Sequence, residues 1–403
     1  MNLKLAWRNV WRNKTRSLII MASVAIGLLA GIFVLGLYQG MMRSRVRTVI
    51  DTEVAHLQIH HKEFKEDYDP SYTLDQELIS KNLKKISEIK SFANRSVTQG
   101  MLATTTGTSG VRIYGIQPKE EIEVSQLAFK IKEGEVLNPS KKNGILIGKK
   151  LADKMKLKLG SKLVLTFTDR ESSVTSGAFR VNGIYQTINT PLDEVIVYIN
   201  RSTLNEYLGL EDTSHEIAIL LHRDEDLELV KNSLQAQFPR YSVMTWKENS
   251  PETDLMVGTI NQYSTIIIII IMIALAFGII NTMLMSVIER TREIGMLSAL
   301  GMNRKKVFAL ILTETVILTF VGVPVGFILS WFSILYFSKA GIDISPFSEE
   351  AMSSFGFTSI IYPEFPVDTM GSVLIIVIST ALISAFFPSL KAIRLQPADA
   401  LRQ

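Results

Sequence analysis

Residues 281–301 read NTMLMSVIERTREIGMLSALG, and they interrupt an otherwise apolar part of the chain. The charged residues of this stretch are Glu289, Arg290, Arg292 and Glu293. Charges at this density are unstable in hydrocarbon, so the segment must emerge on one side of a membrane and turn back. We therefore expect a short surface helix at 289–301 between two membrane spans, where a partner protein can push on it.

Four apolar runs are long enough to cross a bilayer. They are Leu18–Tyr38, Ile260–Ile288, Val307–Phe337 and Val373–Leu390. A helix needs about 20 apolar residues to span about 30 Å of hydrocarbon, and each run approaches or exceeds that length. The first run is too long for the core of a cleaved signal peptide, so we interpret it as an uncleaved anchor.

The basic residues predict the orientation in the membrane. Residues 1–17 carry five basic residues and no acid, and the loop 289–306 carries five basic and two acidic residues. The loop 338–370 instead carries one basic and five acidic residues. Because Lys and Arg are enriched in cytoplasmic loops, we predict that both termini and the loop 289–306 are cytoplasmic. The segment between the first two spans and the loop 338–370 then face outward.

These features predict an α-helical membrane protein with four transmembrane helices and a large α+β extracytoplasmic domain inserted between helices 1 and 2. The predicted parts are a cytoplasmic interfacial helix at 1–17, transmembrane helix 1 at 18–42, the outer domain with helical stalks at 43–256, and a region at 257–403 with transmembrane helices 2–4. Inside the outer domain, the pattern predicts a helix at Leu146–Leu157 and strands at Leu163–Phe167 and Phe179–Tyr185. A soluble protein with four buried helices would not explain the alternating charge of the loops.

Glycines recur at helical spacing in two of the spans. The first span has Gly27, Gly31, Gly36 and Gly40, and the third has Gly322 and Gly326 on either side of Pro324. Such spacings let two helix backbones approach closely. Contacts within the chain and dimerisation both remain open.

No catalytic or metal-binding signature is present in the sequence. The segment NGILIGKKL has Asn143 in place of the first glycine of a phosphate loop and Lys150 in place of its Ser or Thr. His56, His60 and His61 lack the further ligands that a zinc site requires, and the chain has no cysteine. We therefore predict no metal, no cofactor and no catalytic residue on this chain.

Two polar residues lie inside the predicted spans. Glu314 is an acid well within the third span, and such a group costs a few kcal/mol unless it is paired, protonated or hydrated. We favour a structural role for Glu314 at a helix interface, and a proton-coupled transporter is the alternative. Asn281 in the second span is suited to a hydrogen bond between helices.

The motif NTMLMSVIERTREIGMLSALG resembles the signature of the FtsX-type permease domain of ABC transporters. The third span with GVPVG and the ending PSLKAIRLQPADALR are also similar to that family. Within it, HLQIH at 56–60, GILIGKKLADKMKLKLGSKLVL at 144–165 and FRVNGIYQT at 179–187 resemble the lipoprotein-releasing (Lol) permeases. The macrolide-efflux type usually carries its ATPase before the first span, where this sequence has seventeen residues.

The resemblance implies how such a protein would work. A separate cytoplasmic ATPase dimer would bind ATP and magnesium and push on the surface helix. The residues implied in this coupling are Glu289, Arg290, Arg292, Glu293, Ile294, Gly295, Met296, Leu297, Leu300 and Gly301. A second permease chain, identical or homologous, would complete the transporter in the bacterial inner membrane, with the large domain in the periplasm and no role for nucleic acid.

For the Lol type, the implied substrate is an acylated lipoprotein that passes from the membrane lipid to a periplasmic carrier. The residues implied to line its cavity are Met21, Val24, Leu28, Ile32, Met256, Ile260 and Tyr263. The alternatives are a mechanotransmission permease that exports a peptide or drug, or activates a periplasmic partner, and an ATP-independent transporter that depends on Glu314.

Overall fold

The computed structural model of the chain describes residues 2–12, 14–299 and 302–393. These residues form two compact units. The first takes its described residues from Met1–Met42, Gly258–Asp343 and Ile360–Gln403, and the second is Arg43–Val257 with Ile344–Ser359. The first contains the apolar runs, and the second contains the predicted outer domain.

The helices, in chain order, are α1 (Asn2–Arg12), α2 (Lys14–Val49), α3 (Phe64–Asp67), α4 (Gln76–Leu83), α5 (Pro118–Ser125), α6 (Lys149–Lys154), α7 (Thr190–Val195), α8 (Arg201–Leu208), α9 (Leu227–Gln237), α10 (Trp246–Asn249), α11 (Pro251–Glu289), α12 (Thr291–Ala299), α13 (Arg304–Ala340), α14 (Ser345–Ser354) and α15 (Met370–Ile393). The strands are β1 (Leu57–His61), β2 (Ile89–Thr104), β3 (Gly107–Ile116), β4 (Ile131–Gly134), β5 (Gly144–Gly148), β6 (Lys162–Thr168), β7 (Val174–Tyr185), β8 (Ile196–Asn200), β9 (Glu216–Leu221), β10 (Tyr241–Thr245), β11 (Ile342–Asp343) and β12 (Ile360–Ile361).

Four helical segments of the described chain are long and apolar enough to cross a membrane. They are Ser17–Val54, Pro251–Glu289, Arg304–Ala340 and Met370–Ile393. Each contains one of the apolar runs of the sequence, and together with the α/β unit between the first two they confirm the predicted fold class. Helices α2 and α11 are each longer than a single span requires.

Glycines of the third span set the packing of the first unit. A side chain added at Gly322 would come within 3.0 Å of the carbonyl oxygen of Met21, and one at Gly326 within 2.8 Å of that of Ala25. The two glycines therefore allow α13 to lie directly against α2. Gly322 and Gly326 therefore serve a helix contact within the chain, which is one of the two possibilities that the sequence left open.

The second unit is built on a ten-stranded sheet. Nine strands follow the order β10-β1-β9-β2-β3-β8-β5-β7-β4, and β6 pairs with β2 and β7. Most neighbours are antiparallel, but β3 runs parallel to β8 and β5 runs parallel to β7. The strands predicted at Leu163–Phe167 and Phe179–Tyr185 lie within β6 and β7.

The helix predicted from Leu146 is wrong at its beginning. Residues Gly144–Gly148 form β5, which lies between β7 and β8, and the helix is confined to Lys149–Lys154. Ile145, Leu146 and Ile147 are all fully buried because a strand in the middle of a covered sheet is apolar on both faces. A continuous apolar run of this kind has no period that separates a strand from a buried helix.

A cluster of buried charges lies within this unit. Arg95 contacts Glu121 at 2.7 Å and Glu216 at 3.1 Å, and Lys65 contacts Glu216 at 3.0 Å. Burial alone raises the pKa of the Glu216 carboxyl, but Lys65 and Arg95 outweigh that effect and lower the pKa to about 2. A substitution that removes one charged residue of such a cluster leaves an uncompensated buried charge.

Candidate coupling site

The charged segment of the motif folds as a short helix after a break in the chain. Helix α11 continues to Glu289, and α12 covers Thr291–Ala299, so α12 begins two residues later than predicted. Arg290 joins the two helices, and its carbonyl oxygen accepts a hydrogen bond from the amide of Ile294 at 2.9 Å. Leu300 and Gly301 lie outside the described residues, and so does the side chain of Leu297.

Arg290 is the centre of a network of charged side chains. Its Nε donates to Glu293 at 3.0 Å, and its Nη1 donates to both carboxylate oxygens of Glu314 at 3.2 Å. The side chain of Arg290 is 15% exposed and that of Glu314 is 8% exposed. The buried acid of the third span therefore has a cationic partner at the beginning of α12.

Helix α1 joins the same network. Asn9 Nδ2 donates to Glu314 at 2.7 Å, and the guanidinium of Arg12 donates to Glu293. The hydrogen bond from Arg12 is the main cause that lowers the pKa of the Glu293 carboxyl, against the effect of burial and with help from Arg290. Three helices, α1, α12 and α13, are thus held together by two carboxylates.

The other predicted coupling residues divide into a buried and an exposed set. Ile294 and Gly295 are buried, and Ile294 belongs to the apolar core of the first unit. Glu289, Arg292 and Met296 are exposed, with 52% of Met296 accessible. The exposed set forms the surface of this segment that a partner can reach, while the buried set and the charged network fix the segment to its own chain.

The residues predicted to line a substrate cavity are not brought together on an open surface. Val24, Leu28 and Ile32 have no exposed surface, because they pack in the core of the first unit. In this structure they are helix-packing residues rather than lining residues. Met21 is partly buried and packs against the same core.

The second-span residues of that set differ among themselves. Tyr263 is 55% exposed, Met256 is half-buried, and the side chain of Ile260 lies outside the description. Asn281 is also exposed, and it makes no hydrogen bond to another residue that the structure describes. The hydrogen bond between helices that the sequence suggests for Asn281 stays a prediction.

The end of α2 has a feature that the sequence did not predict. Residues Ile50–Val54 form one turn of π-helix, and Ala55 follows with φ 58° and ψ −168°. This backbone region is almost restricted to glycine, and a residue with a side chain is strained there by about 1–3 kcal/mol. Such bulges and strained residues are found most often at functional sites.

Buried polar contacts hold this turn in place. Glu53 Oε1 accepts from Arg45 at 2.9 Å and from Asn189 at 2.5 Å, and both charged side chains are less than one-tenth exposed. Lys130 Nζ donates to the carbonyl oxygen of Asp51 at 3.0 Å. These contacts fix the turn that follows α2 to Lys130 and Asn189 of the same unit.

The three histidines near β1 are engaged separately. His56 Nε2 lies 2.9 Å from Asp224, and His60 Nδ1 lies 2.8 Å from the carbonyl oxygen of His61. Among the residues that the structure describes, no three potential metal ligands cluster together.

The fold and the coupling site together define a class: a membrane protein with four candidate spans, a large inserted α/β domain, and a short charged helix fixed between two spans. Family comparisons agree with that class. Residues 17–237 match the MacB-like periplasmic core domain, and residues 265–397 match the FtsX-like permease C-terminal region. The chain belongs to this family of ABC transporter permeases, close to the Lol permeases.

Individual relatives are distant but cover much of the chain. An uncharacterized ABC transporter permease of Methanocaldococcus jannaschii is 23% identical over 99% of this chain and 97% of its own length. The lipoprotein-releasing system transmembrane protein LolC of Xylella fastidiosa is 24% identical over 72% of both chains. The macrolide export ATP-binding/permease protein MacB of Campylobacter jejuni is 24% identical over 99% of this chain and 60% of its own length.

Membership of this family implies a partner ATPase and a second permease. The match of residues 17–237 to a periplasmic core domain supports the conclusion that this membrane protein has an extracellular domain.

Proposed function

We propose that the chain is the permease subunit of a transporter that extracts lipoproteins from the inner membrane of a bacterium and passes them to a periplasmic carrier. The observation that supports coupling to an ATPase is the network around Arg290. This network fixes α12 to α1 and α13, while Arg292 and Met296 stay exposed. The similarity to LolC over 72% of the chain supports the lipoprotein substrate.

In this proposal, α12 docks on a separate cytoplasmic ATPase. A push on α12 is transmitted to α13 through the pair of Arg290 with Glu314, and to α1 through the pair of Arg12 with Glu293. Helices α2 and α11 carry the motion outward, since each contains residues of both units. Both termini are cytoplasmic and the large domain is periplasmic, in line with the distribution of basic residues.

The proposed substrate would leave the membrane beside α2 and α11. Both helices have exposed apolar side chains, which are Leu18, Ile19 and Ile26 on α2 and Ile266, Ile269, Ile270, Ile273 and Phe277 on α11. These side chains, rather than the buried set of Val24, Leu28 and Ile32, are suited to contact an acyl chain or the second permease.

A second candidate function is the export of a peptide or drug, or the activation of a periplasmic partner, without movement of a lipoprotein. The match of residues 17–237 to the MacB-like periplasmic core domain favours it. Both candidate functions require the ATPase, and they differ in whether a lipoprotein is moved.

The cargo is tested by purifying the complex with its ATPase in a mild detergent and identifying acylated proteins that remain bound by mass spectrometry. We expect a bound lipoprotein, and ATP hydrolysis should release it when a carrier is added. Repeated absence of acylated protein, together with ATP turnover that a peptide or drug stimulates, would contradict the lipoprotein proposal and support the second candidate.

The coupling is tested with the double variant Glu293→Lys and Gly295→Trp, with Arg304→Gln as the matched control. Arg304 is exposed at the start of α13 and lies outside the network. We expect the double variant to lose both the ATPase subunit and transport, and the control to keep both. Transport by the double variant without a bound ATPase would instead support an ATP-independent transporter.

A further inference from the structure

A cleft of about 710 Å³ opens in the second unit at the ends of two parallel strands. Strands β3 and β8 are neighbours, and their last residues, Ile116 and Asn200, are paired in register. Each strand leads directly into a helix, β3 into α5 and β8 into α8. The volume is in the range of sites that bind small molecules.

The two helices lie on opposite faces of the sheet. Arg95 and Ser96 are consecutive on β2, so their side chains point to opposite faces. Arg95 contacts Glu121 of α5 at 2.7 Å, whereas Ser96 donates to Asn205 of α8 at 2.5 Å. The cleft is therefore a switch point, where the chain leaves adjacent parallel strands in opposite directions. In open α/β sheets, ligands bind in crevices at such points.

Both helices present their N-termini to the cleft. The residue before each helix, Gln117 for α5 and Asn200 for α8, makes no capping hydrogen bond with its side chain. The two ends meet, since the Gln117 amide oxygen, in its favoured orientation, lies 2.6 Å from Nη2 of Arg201. Uncapped backbone N–H groups at a helix N-terminus favour an anion. This applies to α8, which has no acidic residue in its first turn, whereas α5 begins with Pro118, which has no N–H, and carries Glu120 and Glu121 in its first turn.

Two buried polar atoms at the cleft have no partner among the described residues. They are Oδ1 of Asn200, an acceptor, and Nη1 of Arg201, a donor. Both residues line the cleft and are at most 4% exposed. Buried polar atoms are rarely left unpaired in a native protein, and an absent ligand is one reason for such an atom.

The charges around the cleft have both signs. Lys119 and Arg201 contribute positive charge beside the helix ends, and Glu206, Glu211 and Asp212 contribute negative charge. Asp212 contacts Arg201 at 3.0 Å, and Glu206 contacts Lys142 at 2.7 Å outside the cleft. A simple anion would be repelled by the acidic residues, and a simple cation by the basic ones.

We propose that this cleft binds a small zwitterion. Its anionic group lies at the N-terminus of α8 beside Lys119 and Arg201, and its ammonium group lies against Glu211 and Asp212. A carboxylate or a phosphate meets the first requirement, so amino acids, peptide ends and phosphoethanolamine headgroups share the chemistry. The proposal does not depend on the transport function proposed above.

The test is calorimetric titration of the full chain in lipid nanodiscs with phosphoethanolamine and with glycylglycine. Inorganic phosphate, acetate and ethanolamine are titrated as controls, because each carries only the anionic or only the ammonium group of a zwitterion. We expect saturable binding of at least one zwitterion, about tenfold or more tighter than either of its halves. Preference for phosphoethanolamine would indicate a headgroup ligand, and preference for glycylglycine an amino-acid or peptide ligand. Binding of phosphate alone as tightly as the zwitterion, or no zwitterion binding at millimolar concentration, would overturn the proposal.

Two exposed residues give variants that should fold normally. Lys119→Gln should weaken zwitterion and phosphate binding about fivefold, whereas Glu211→Gln should weaken zwitterion binding about fivefold and leave phosphate binding unchanged or stronger. The matched controls are Lys132→Gln and Glu228→Gln, which are exposed and do not line the cleft. Equal effects of the controls and the cleft variants would show that the binding occurs elsewhere.

Discussion

The pair of Arg290 with Glu314 can be tested by a double-mutant cycle. Glu314→Gln removes the charge but keeps an oxygen that can accept from Asn9 and Arg290. Both side chains of the pair are largely buried, with two contacts of 3.2 Å between them. Hydrogen bonds to charged groups contribute about 1.5–3 kcal/mol, and Arg290 keeps its contact with Glu293. We therefore expect a loss of about 2 kcal/mol in the stability of the anchored state.

The assay is hydrogen–deuterium exchange of the chain in nanodiscs. The amide of Ile294, which donates to the carbonyl oxygen of Arg290, reports opening of α12. A loss of about 2 kcal/mol corresponds to about 30-fold faster exchange in peptides that cover 290–299. Arg290→Gln should have at least the same effect, and the double variant should exchange about as fast as Arg290→Gln alone.

Two results would refute this reasoning. Unchanged exchange in Glu314→Gln would show that the acid does not anchor α12. Strictly additive effects of the two substitutions would show that the residues do not act as a pair. Arg304→Gln controls for the loss of a surface charge near the same loop and should leave the exchange unchanged.

Three further predictions concern the second unit and are checked by denaturant unfolding of the full chain. Ala55→Gly should stabilise the unit by about 1 kcal/mol, because relief of about 1–3 kcal/mol of strain outweighs the extra flexibility of unfolded glycine; a lower midpoint would contradict the strain. Burial lowers the pKa of His215 to about 4, and its Nδ1 accepts from the amide of Val97 at 2.9 Å. The unfolded chain therefore binds the proton more tightly, so stability should fall by about 3 kcal/mol as the pH drops from about 6.5 to about 4, and His215→Gln should flatten that slope. Glu216→Gln should cost about 3 kcal/mol because Arg95 and Lys65 lose their shared partner, and a neutral result would contradict the importance of the cluster.

The sequence was sufficient to predict the four spans and the charged break between the second and third. Both depend on properties that survive without tertiary structure: the length of an apolar run and the cost of charge in hydrocarbon. The partner of Glu314 could not be predicted from the sequence, because Arg290 lies 24 residues away on the other side of a turn. Its long side chain reaches the acid only once α12 and α13 are packed.

The faces of the spans could not be assigned in the same way. A span is apolar all around, so its periodicity does not show which side packs against protein and which meets lipid. The resemblance to the Lol permeases implied that Val24, Leu28 and Ile32 line a cavity, and the apolar pattern of the first span contained nothing to show that they pack inside the unit. Gly322 and Gly326 mark the face of α13 that makes a close helix contact, but only the structure shows that this face meets Val24 and Leu28 of α2.

In the proposed mechanism, the arrangement of charges around α12 would let one short helix both receive and transmit a force. A helix held only by its apolar face could slide along its own chain when a partner pushes on it. Here Glu293 is tied to Arg12 and Arg290, and Arg290 is tied to Glu314, so a displacement of α12 along its axis must stretch pairs to α1 and α13 together. The carboxylates of Glu293 and Glu314 accept hydrogen bonds of defined geometry, so they resist a displacement of α12 that dispersion contacts alone would permit. The acid that looked isolated within the third span is thus paired with Arg290 and Asn9, and in the proposed mechanism it is the residue of α13 on which the coupling segment acts.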